Sequence, residues 1–294
     1  MKGRDILLAL VVVSVWGFNF VVIKIGLQEL PPILFAALRF ALAAFPAVLF
    51  LKRPRTSMKL VVLFGLFMFA LQFGLLFAGM HLGIPAGLAS LVLQVHVFIT
   101  IALAVAFLGE TARPAQIAGA TLATAGLGLV AFHLTGSTTP TGLGLVVLAA
   151  CSWAIANLVT KRIGTVDLLS LVAWGSLVAP LPLLLLSAFV EGLDVYRQVH
   201  ETVSWRGLFA LFYIVYPTTL LGFSVWSGLL ARYPAATVAP FTLLVPIVGM
   251  LSAALVLGEP LEPWKLGAAA LVVSGLCVNL FSWPSAARLR RSGG

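Results

Sequence analysis

The sequence is poor in charge. Only 9% of its 294 residues are Asp, Glu, Lys or Arg, and nine of them are acidic. Soluble domains carry about 25% charged residues, so this chain cannot cover the surface of a water-soluble body of 31.1 kDa. That excludes a soluble enzyme and a disordered chain. There are two cysteines, Cys151 and Cys277, both in apolar stretches, which excludes a disulfide-rich secreted module. They and the four scattered histidines lack the spacing of a metal site, so no metal and no other cofactor is expected. No Gly-rich phosphate loop of the Walker type occurs, so neither ATP consumption by the chain nor an ATPase subunit is implied. No Asp or Glu lies deep in an apolar run, which argues against a carboxylate relay of the kind proton-driven pumps carry. Exchange or uniport down a metabolite gradient fits better, with His96 the one deep candidate for proton coupling. No nucleophile–base pair is legible, so catalysis is not expected.

Apolar residues dominate instead, at 61% of the chain and a mean hydropathy of +1.12. The runs are continuous over about 20 residues, the length of a membrane helix, and do not show the period-two alternation of a membrane barrel. Ten spans are predicted, at 6–25, 33–51, 60–80, 86–108, 114–132, 141–160, 168–189, 207–229, 235–257 and 265–283. The opening run reads as the first span and not as a cleaved leader, because no small-residue cleavage site precedes Lys24. Pro31-Pro32, the Lys52 to Arg55 cluster, Gly83 with Pro85, the uncharged polar turn 136–142 and the loop 192–206 mark breaks. The expected fold is an all-α polytopic membrane protein.

The formal charge of +9 has a bland cause here, since Lys and Arg collect on cytoplasmic loops, and no nucleic-acid partner is implied. With both ends cytoplasmic, thirteen of the eighteen basic residues fall inside: Lys2, Arg4, Lys52, Arg53, Arg55, Lys59, Arg113, Lys161, Arg162, Arg232, Arg288, Arg290 and Arg291. The opposite orientation would put those thirteen outside. The expected orientation is therefore N-in, C-in.

Shifted by 149 residues, the chain matches itself: Leu108-Gly109-Glu110 falls on Leu257-Gly258-Glu259, Pro85-Ala86 on Pro234-Ala235, and Gly126-Leu127 on Gly275-Leu276. A looser match at 137 residues links Trp16 and Lys24 to Trp153 and Lys161. Each half then holds five spans, residues 5–132 and 141–283. An odd number of spans obliges the second half to enter the membrane upside down. Two inverted five-helix repeats are the architecture of many secondary transporters, in which one asymmetric assembly can open to either side.

Several of these segments also carry a resemblance. The opening Trp16-Gly17-Phe18-Asn19-Phe20 with Lys24, the pair Arg39-Phe40 and the Leu-Gly-Glu ends at Glu110 and Glu259 resemble the EamA family of the drug/metabolite transporter superfamily, over about residues 5–282. The stretch from Gly87 to Gln94 is most similar to its bacterial amino-acid and metabolite exporters, including the O-acetylserine/cysteine exporter branch. The resemblance implies ten helices, a bacterial inner-membrane location and efflux of small metabolites. Trp153-Ala154 stands where the first half has Trp16-Gly17, so the symmetry is imperfect there.

Polar side chains inside apolar helices are costly unless they face protein, water or a ligand. Asn19 is a candidate substrate contact or an inter-helix hydrogen bond, and Asn157 its possible mate in the second half. Arg39 is a candidate for a substrate carboxylate, or else a tie to backbone carbonyls or Glu29. Gln72, Gln94 and His96 lie at mid-membrane. Residues 94 and 96 are about 200° apart on a straight helix, so at most one is expected to face a narrow cavity. Trp174, Tyr213 and Tyr216 are candidate apolar walls, while Trp16, Trp153, Trp264 and Trp283 suit the interfacial belt. Pro180, Pro182, Pro217, Pro240 and Pro246 are expected to interrupt second-half spans.

These readings converge on a secondary transporter exporting an amino acid or related metabolite, with membrane lipid around it and a monomer sufficient. The rivals are a broad-specificity drug exporter and a passive channel.

Overall fold

The computed structural model describes residues 1–133, 138–197 and 203–281. Trp283, Arg288, Arg290, Arg291 and parts of the 136–142 turn and the 192–206 loop lie outside the described residues. Among the described residues there is no strand. Ten helices are long and apolar enough to cross a membrane: α1 Gly3–Gly26, α2 Pro32–Phe50, α3 Met58–His81, α4 Ala86–Leu108, α5 Pro114–Phe132, α6 Pro140–Ile163, α7 Leu168–Val190, α8 Trp205–Arg232, α9 Ala239–Leu257 and α10 Pro263–Leu280. A short helical turn, Ala235–Val238, runs directly into α9, so helix begins where the ninth span was expected to.

The helix ends follow from local chemistry. Proline, whose missing N–H has no partner to lose in a first turn, opens α2, α5, α6 and α10. The ends of α4 and α9 turn on Gly109 and Gly258, both at φ +67°, a left-handed conformation that favours glycine. The prolines expected to interrupt second-half spans do so unequally. Pro180 restarts α7 after a break beyond Ser176, with Pro182 in the same first turn, and Pro240 sits in a 3₁₀ turn at the start of α9. Pro246 falls in the first turn of the α-helical part of α9, where it displaces no bond. Only Pro217 stands inside a continuous helix, and α8 absorbs it as a π-helical stretch, Ile214–Leu221.

The departures from regular helix recur. A π-helical stretch also occupies Leu66–Leu71 of α3. The α-helical run of α4 stops at Leu93 and restarts at His96. The 3₁₀ turn of α9 ends at Leu243, which lies 149 residues beyond Gln94, the spacing of the sequence repeat.

Packing interleaves the two halves of the chain. α1 lies against α9 and α8, α6 against α3 and the latter part of α4, α2 against α7, and α5 against α10. At the α5–α10 crossing a Cβ on Gly119 would stand 2.6 Å from the Gly275 carbonyl, so only glycine permits that approach. Apolar side chains such as Phe132, Phe189 and Leu255 project outward, as lipid requires.

One end of the bundle carries the starts of α1, α3, α5, α7 and α9 together with Lys2, Arg4, Lys52, Arg53, Arg55, Lys59, Arg113, Lys161, Arg162 and Arg232; it is called the basic end below. At the other, capped end, three carboxylates close helix N-termini across the two halves. Glu191 accepts from the N–H groups of Ile33 and Leu34 at 2.6 and 3.0 Å. Glu259 accepts from those of Ala86 and Gly87 at 2.7 and 3.1 Å. Glu29 accepts from the Ser204 and Gly207 N–H groups at 2.9 and 3.0 Å and from the Ser204 hydroxyl at 2.6 Å. A carboxylate is the favoured occupant at the positive pole of a helix.

Two outcomes are expected. Gly119→Val should lower the thermal midpoint in detergent by an amount equivalent to about 1–3 kcal/mol, whereas Gly128→Ala, whose Cβ meets nothing within 4 Å, should not; equal effects would contradict the close crossing. The Ser204 hydroxyl bond, with help from the backbone bonds and Arg206, holds the Glu29 carboxyl below the usual range. Its contribution to stability is therefore complete above the ordinary value of about 4.3 and is lost only as pH falls through the lower folded value. The difference in melting temperature between the parent and Glu29→Gln should stay constant from pH 7 to about 5 and shrink below about 4. A difference already shrinking between 7 and 5 would refute this.

Candidate functional site

The helix irregularities meet around a single cavity of about 430 Å³, within the range of small-molecule sites. Its walls come from both halves. α1 supplies Trp16, Asn19 and Phe20, and α2 supplies Arg39; α3 supplies Met68, Phe69, Gln72 and Phe73. α4 contributes Leu93, Gln94, His96 and Val97, α6 contributes Trp153, and α8 to α10 complete it with residues including Thr218, Trp226, Thr242 and Asn279. The cavity runs toward the basic end, where Leu168, Leu230, Ala239 and Leu280 line it, and no terminal residue of the capped end does.

Five of the nine sequence-predicted residues, Asn19, Arg39, Gln72, Gln94 and His96, line this cavity. The other four lie elsewhere. Asn157 donates to the Thr100 hydroxyl at 3.0 Å, and that hydroxyl donates to the His96 carbonyl at 2.7 Å, so Asn157 supports the restart of α4 from behind. The Trp174 indole N–H donates to the Leu51 carbonyl at 3.2 Å. The Tyr213 hydroxyl donates to the Val15 carbonyl at 3.2 Å, with its ring edge-on to Phe18. Tyr216 packs on Phe212 and is 40% exposed on the outer face.

The expectation that Gln94 and His96 cannot share a face is overturned. It assumed a straight helix, and the turn at Gln94–Val95 between the two parts of α4 brings both into the cavity. Trp16 and Trp153, assigned to the interfacial belt, also line the cavity. Trp16 donates its indole N–H to the Thr218 carbonyl at 3.1 Å, a carbonyl in the π-helical stretch around Pro217. Trp153 stacks on His96 with ring centres 3.8 Å apart and planes 10° apart. The signal that could have found them is their place at matched positions in the two halves. Lys24 donates to the Met80 carbonyl at 2.9 Å.

Arg39 is the only charged side chain among the lining residues. It is 2% exposed. Its Nη2 donates to the Thr219 hydroxyl at 3.1 Å, and its guanidinium lies 4.2 Å from the Phe73 ring centre, a cation–π contact. No ion pair joins it among the described residues, and Glu29, once a candidate partner, caps α8 instead. Two of its donors, Nε and Nη1, have no protein acceptor, while the side-chain oxygens of Asn19 and Gln72 have no protein donor. Thr218 Oγ1 and His96 Nδ1 are also unpartnered, so every such buried atom except Ser176 Oγ belongs to a cavity residue. Buried polar atoms are almost always paired, and these exceptions gather on residues that line the cavity.

The architecture and cavity define a multi-span membrane carrier. The sequence pattern of the EamA-like transporter family matches residues 4–132 and again 140–281, and the chain belongs to that family. It is 43% identical over 298 residues to a probable amino-acid metabolite efflux pump of Salmonella typhimurium, covering 99% of this chain and 98% of that one. It is 40% identical over 297 residues to a probable amino-acid metabolite efflux pump of Escherichia coli, covering 98% and 99%. A solved chain only 18% identical shares the fold, with a TM-score of 0.61 over 100% of both chains.

The Asn157–Thr100 bond should show in a double-mutant cycle. Asn157→Leu and Thr100→Val are expected to couple by about 0.5–1.5 kcal/mol in unfolding free energy; additive effects would place the two side chains apart.

Proposed function

We propose that the chain exports amino acids and related small metabolites from the cytoplasm by alternating access. The observation that carries this reading is the polar complement of the cavity. Arg39 has two donors without a protein acceptor, which suit a carboxylate, and Asn19 and Gln72 have carbonyl oxygens without a protein donor, which suit an ammonium group once these side chains turn to meet a guest. Together they suit a zwitterion, which places anion and cation a few bonds apart. Gln94 supplies a further amide, and Trp16, Trp153 and Trp226 supply apolar walls for a side chain. The names of the two similar efflux pumps support the same class. Within it we favour small polar amino acids and their derivatives, of the O-acetylserine and cysteine type.

Residues 5–132 and 141–283 are read as two inverted repeats, supported by the matched irregularities in α3 and α8 and in α4 and α9. The concentration of Lys and Arg at the basic end supports reading that end as cytoplasmic, with the chain in the bacterial inner membrane. The cavity then reaches the side from which an exporter loads. No carboxylate lines it, so movement down a metabolite gradient, by exchange or uniport, needs no acidic relay.

Purified protein in sealed vesicles should show saturable flux of zwitterionic amino acids. Arg39→Gln should lower that flux about tenfold or more, as expected from loss of a charge-assisted contact, and Gln94→Ala should slow it. Tyr216→Ala should leave it unchanged. Flux that does not saturate would indicate a channel. Flux of cationic dyes without amino acids would indicate a drug exporter. Either result overturns the proposal.

A further inference from the structure

The two Leu-Gly-Glu segments have the same local structure and different partners. α4 and α9 both end on a glycine at φ +67°, and the following glutamate N–H returns to a helix carbonyl at 3.3 Å in each: Glu110 to Ala104, and Glu259 to Ala253. The carboxylates then diverge. Glu259 sits on the N-terminus of α4, taking both the Ala86 and Gly87 N–H groups. Glu110, at the basic end, takes both its bonds from the Lys161 ammonium at 2.8 and 3.1 Å, with both side chains about half exposed.

Packing differs in the same sense. The first part of α4, Ala86–Leu93, is held against the latter part of α9 and against α1, and Ser90 lies where a Cβ on Gly249 would stand. The matching first part of α9, Ala239–Leu243, packs on α10 and α1, and its Ala239, Thr242 and Leu243 face the cavity. The closed end is thus the one where the glutamate is seated on a helix start, and the open end the one where it is held by a lysine.

We propose that Glu259 is the gating residue of the capped end: seated on the start of α4 it holds that end shut, and when that end opens it leaves the helix and pairs with Lys24. Lys24 is the repeat mate of Lys161 and stands at the capped end, donating to the Met80 carbonyl at 2.9 Å, so the exchange reproduces the pair now seen between Glu110 and Lys161. Lys265, the nearby cation on α10, is engaged by Glu262 at 3.2 Å and by the Pro260 carbonyl at 2.9 Å. Glu191 and Glu29 serve differently. They join α2 to α7 and α1 to α8, and neither contacts the α4–α9 pair. The proposal rests on the alternating-access reading above.

The test reads the gate without reading transport. Spin labels placed at Leu82→Cys and Leu261→Cys, both exposed at the capped end, report its width in full-length protein whose Cys151 and Cys277 have been replaced by serine. The parent should give one short distance. Glu259→Gln keeps the shape but removes the charge; loss of the two-bond helix cap outweighs loss of a water-facing ion pair with Lys24, so the ratio of open to closed should rise about tenfold or more, seen as a second, longer distance. Glu259→Asp, which keeps the charge on a shorter arm, should give an intermediate ratio and serves if the glutamine variant does not fold. Glu191→Gln should leave the distance single. An unchanged distribution in whichever of the Glu259 variants folds, or equal widening in Glu191→Gln, overturns the proposal. Saturable flux in the parent alongside an unmoved gate would sink Glu259 alone and leave the transport reading standing.

Discussion

The hydrocarbon core of a membrane offers no hydrogen-bonding partner, so every backbone polar group must be satisfied inside the protein. That constraint shapes this molecule more than apolar burial does, because lipid chains and leucine side chains are equally oily. It forces ten helices, and it makes every helix end and every interruption a place where a partner must be found. The partners are specific. Carboxylates cap α2, α4 and α8 from the opposite half, and the carbonyl of Thr218, beside Pro217, is taken up by Trp16. The cavity sits where these irregular stretches meet, since only there does the backbone bend enough to leave room. The site and the departures from ideal helix have one origin.

The buried arginine follows the same logic. A guanidinium among Phe40, Phe69 and Phe73 would be intolerable without compensation, and the Phe73 ring and the Thr219 hydroxyl supply only part of it. Its Nε and Nη1 are left without a protein acceptor, on a residue that lines the cavity. Amide oxygens of Asn19 and Gln72 are left in the complementary condition. A guest with both signs of charge relieves both at once.

The count of helices was legible in the sequence because continuous apolar runs and proline or glycine breaks are strong signals. α4 and α5 were delimited to the residue. What a membrane hides is rotation. In a soluble helix the polar face identifies the inner one by contrast, but here lipid-facing and core-facing residues are both apolar, so Trp174, Tyr213 and Tyr216 were expected at the cavity and Trp16 and Trp153 in the interfacial belt, whereas only the latter two line the cavity. Residue type alone could not separate them. Deeply placed polar residues were more readable, since their cost restricts where they can point, and Asn19, Arg39, Gln72 and Gln94 all line the cavity. His96 joined Gln94 only because α4 is broken between them, and no proline or glycine at 94–96 announced that break.

The crossing of α5 and α10 at Gly119 and Gly275 matters for a reason unrelated to the cavity. Two bundles floating in a two-dimensional fluid are free to drift apart sideways, because nothing like water pressure drives them together. A backbone-to-backbone clasp between the last helix of each half ties them at the periphery. It adds a tether at the rim to two halves already interlocked at the centre.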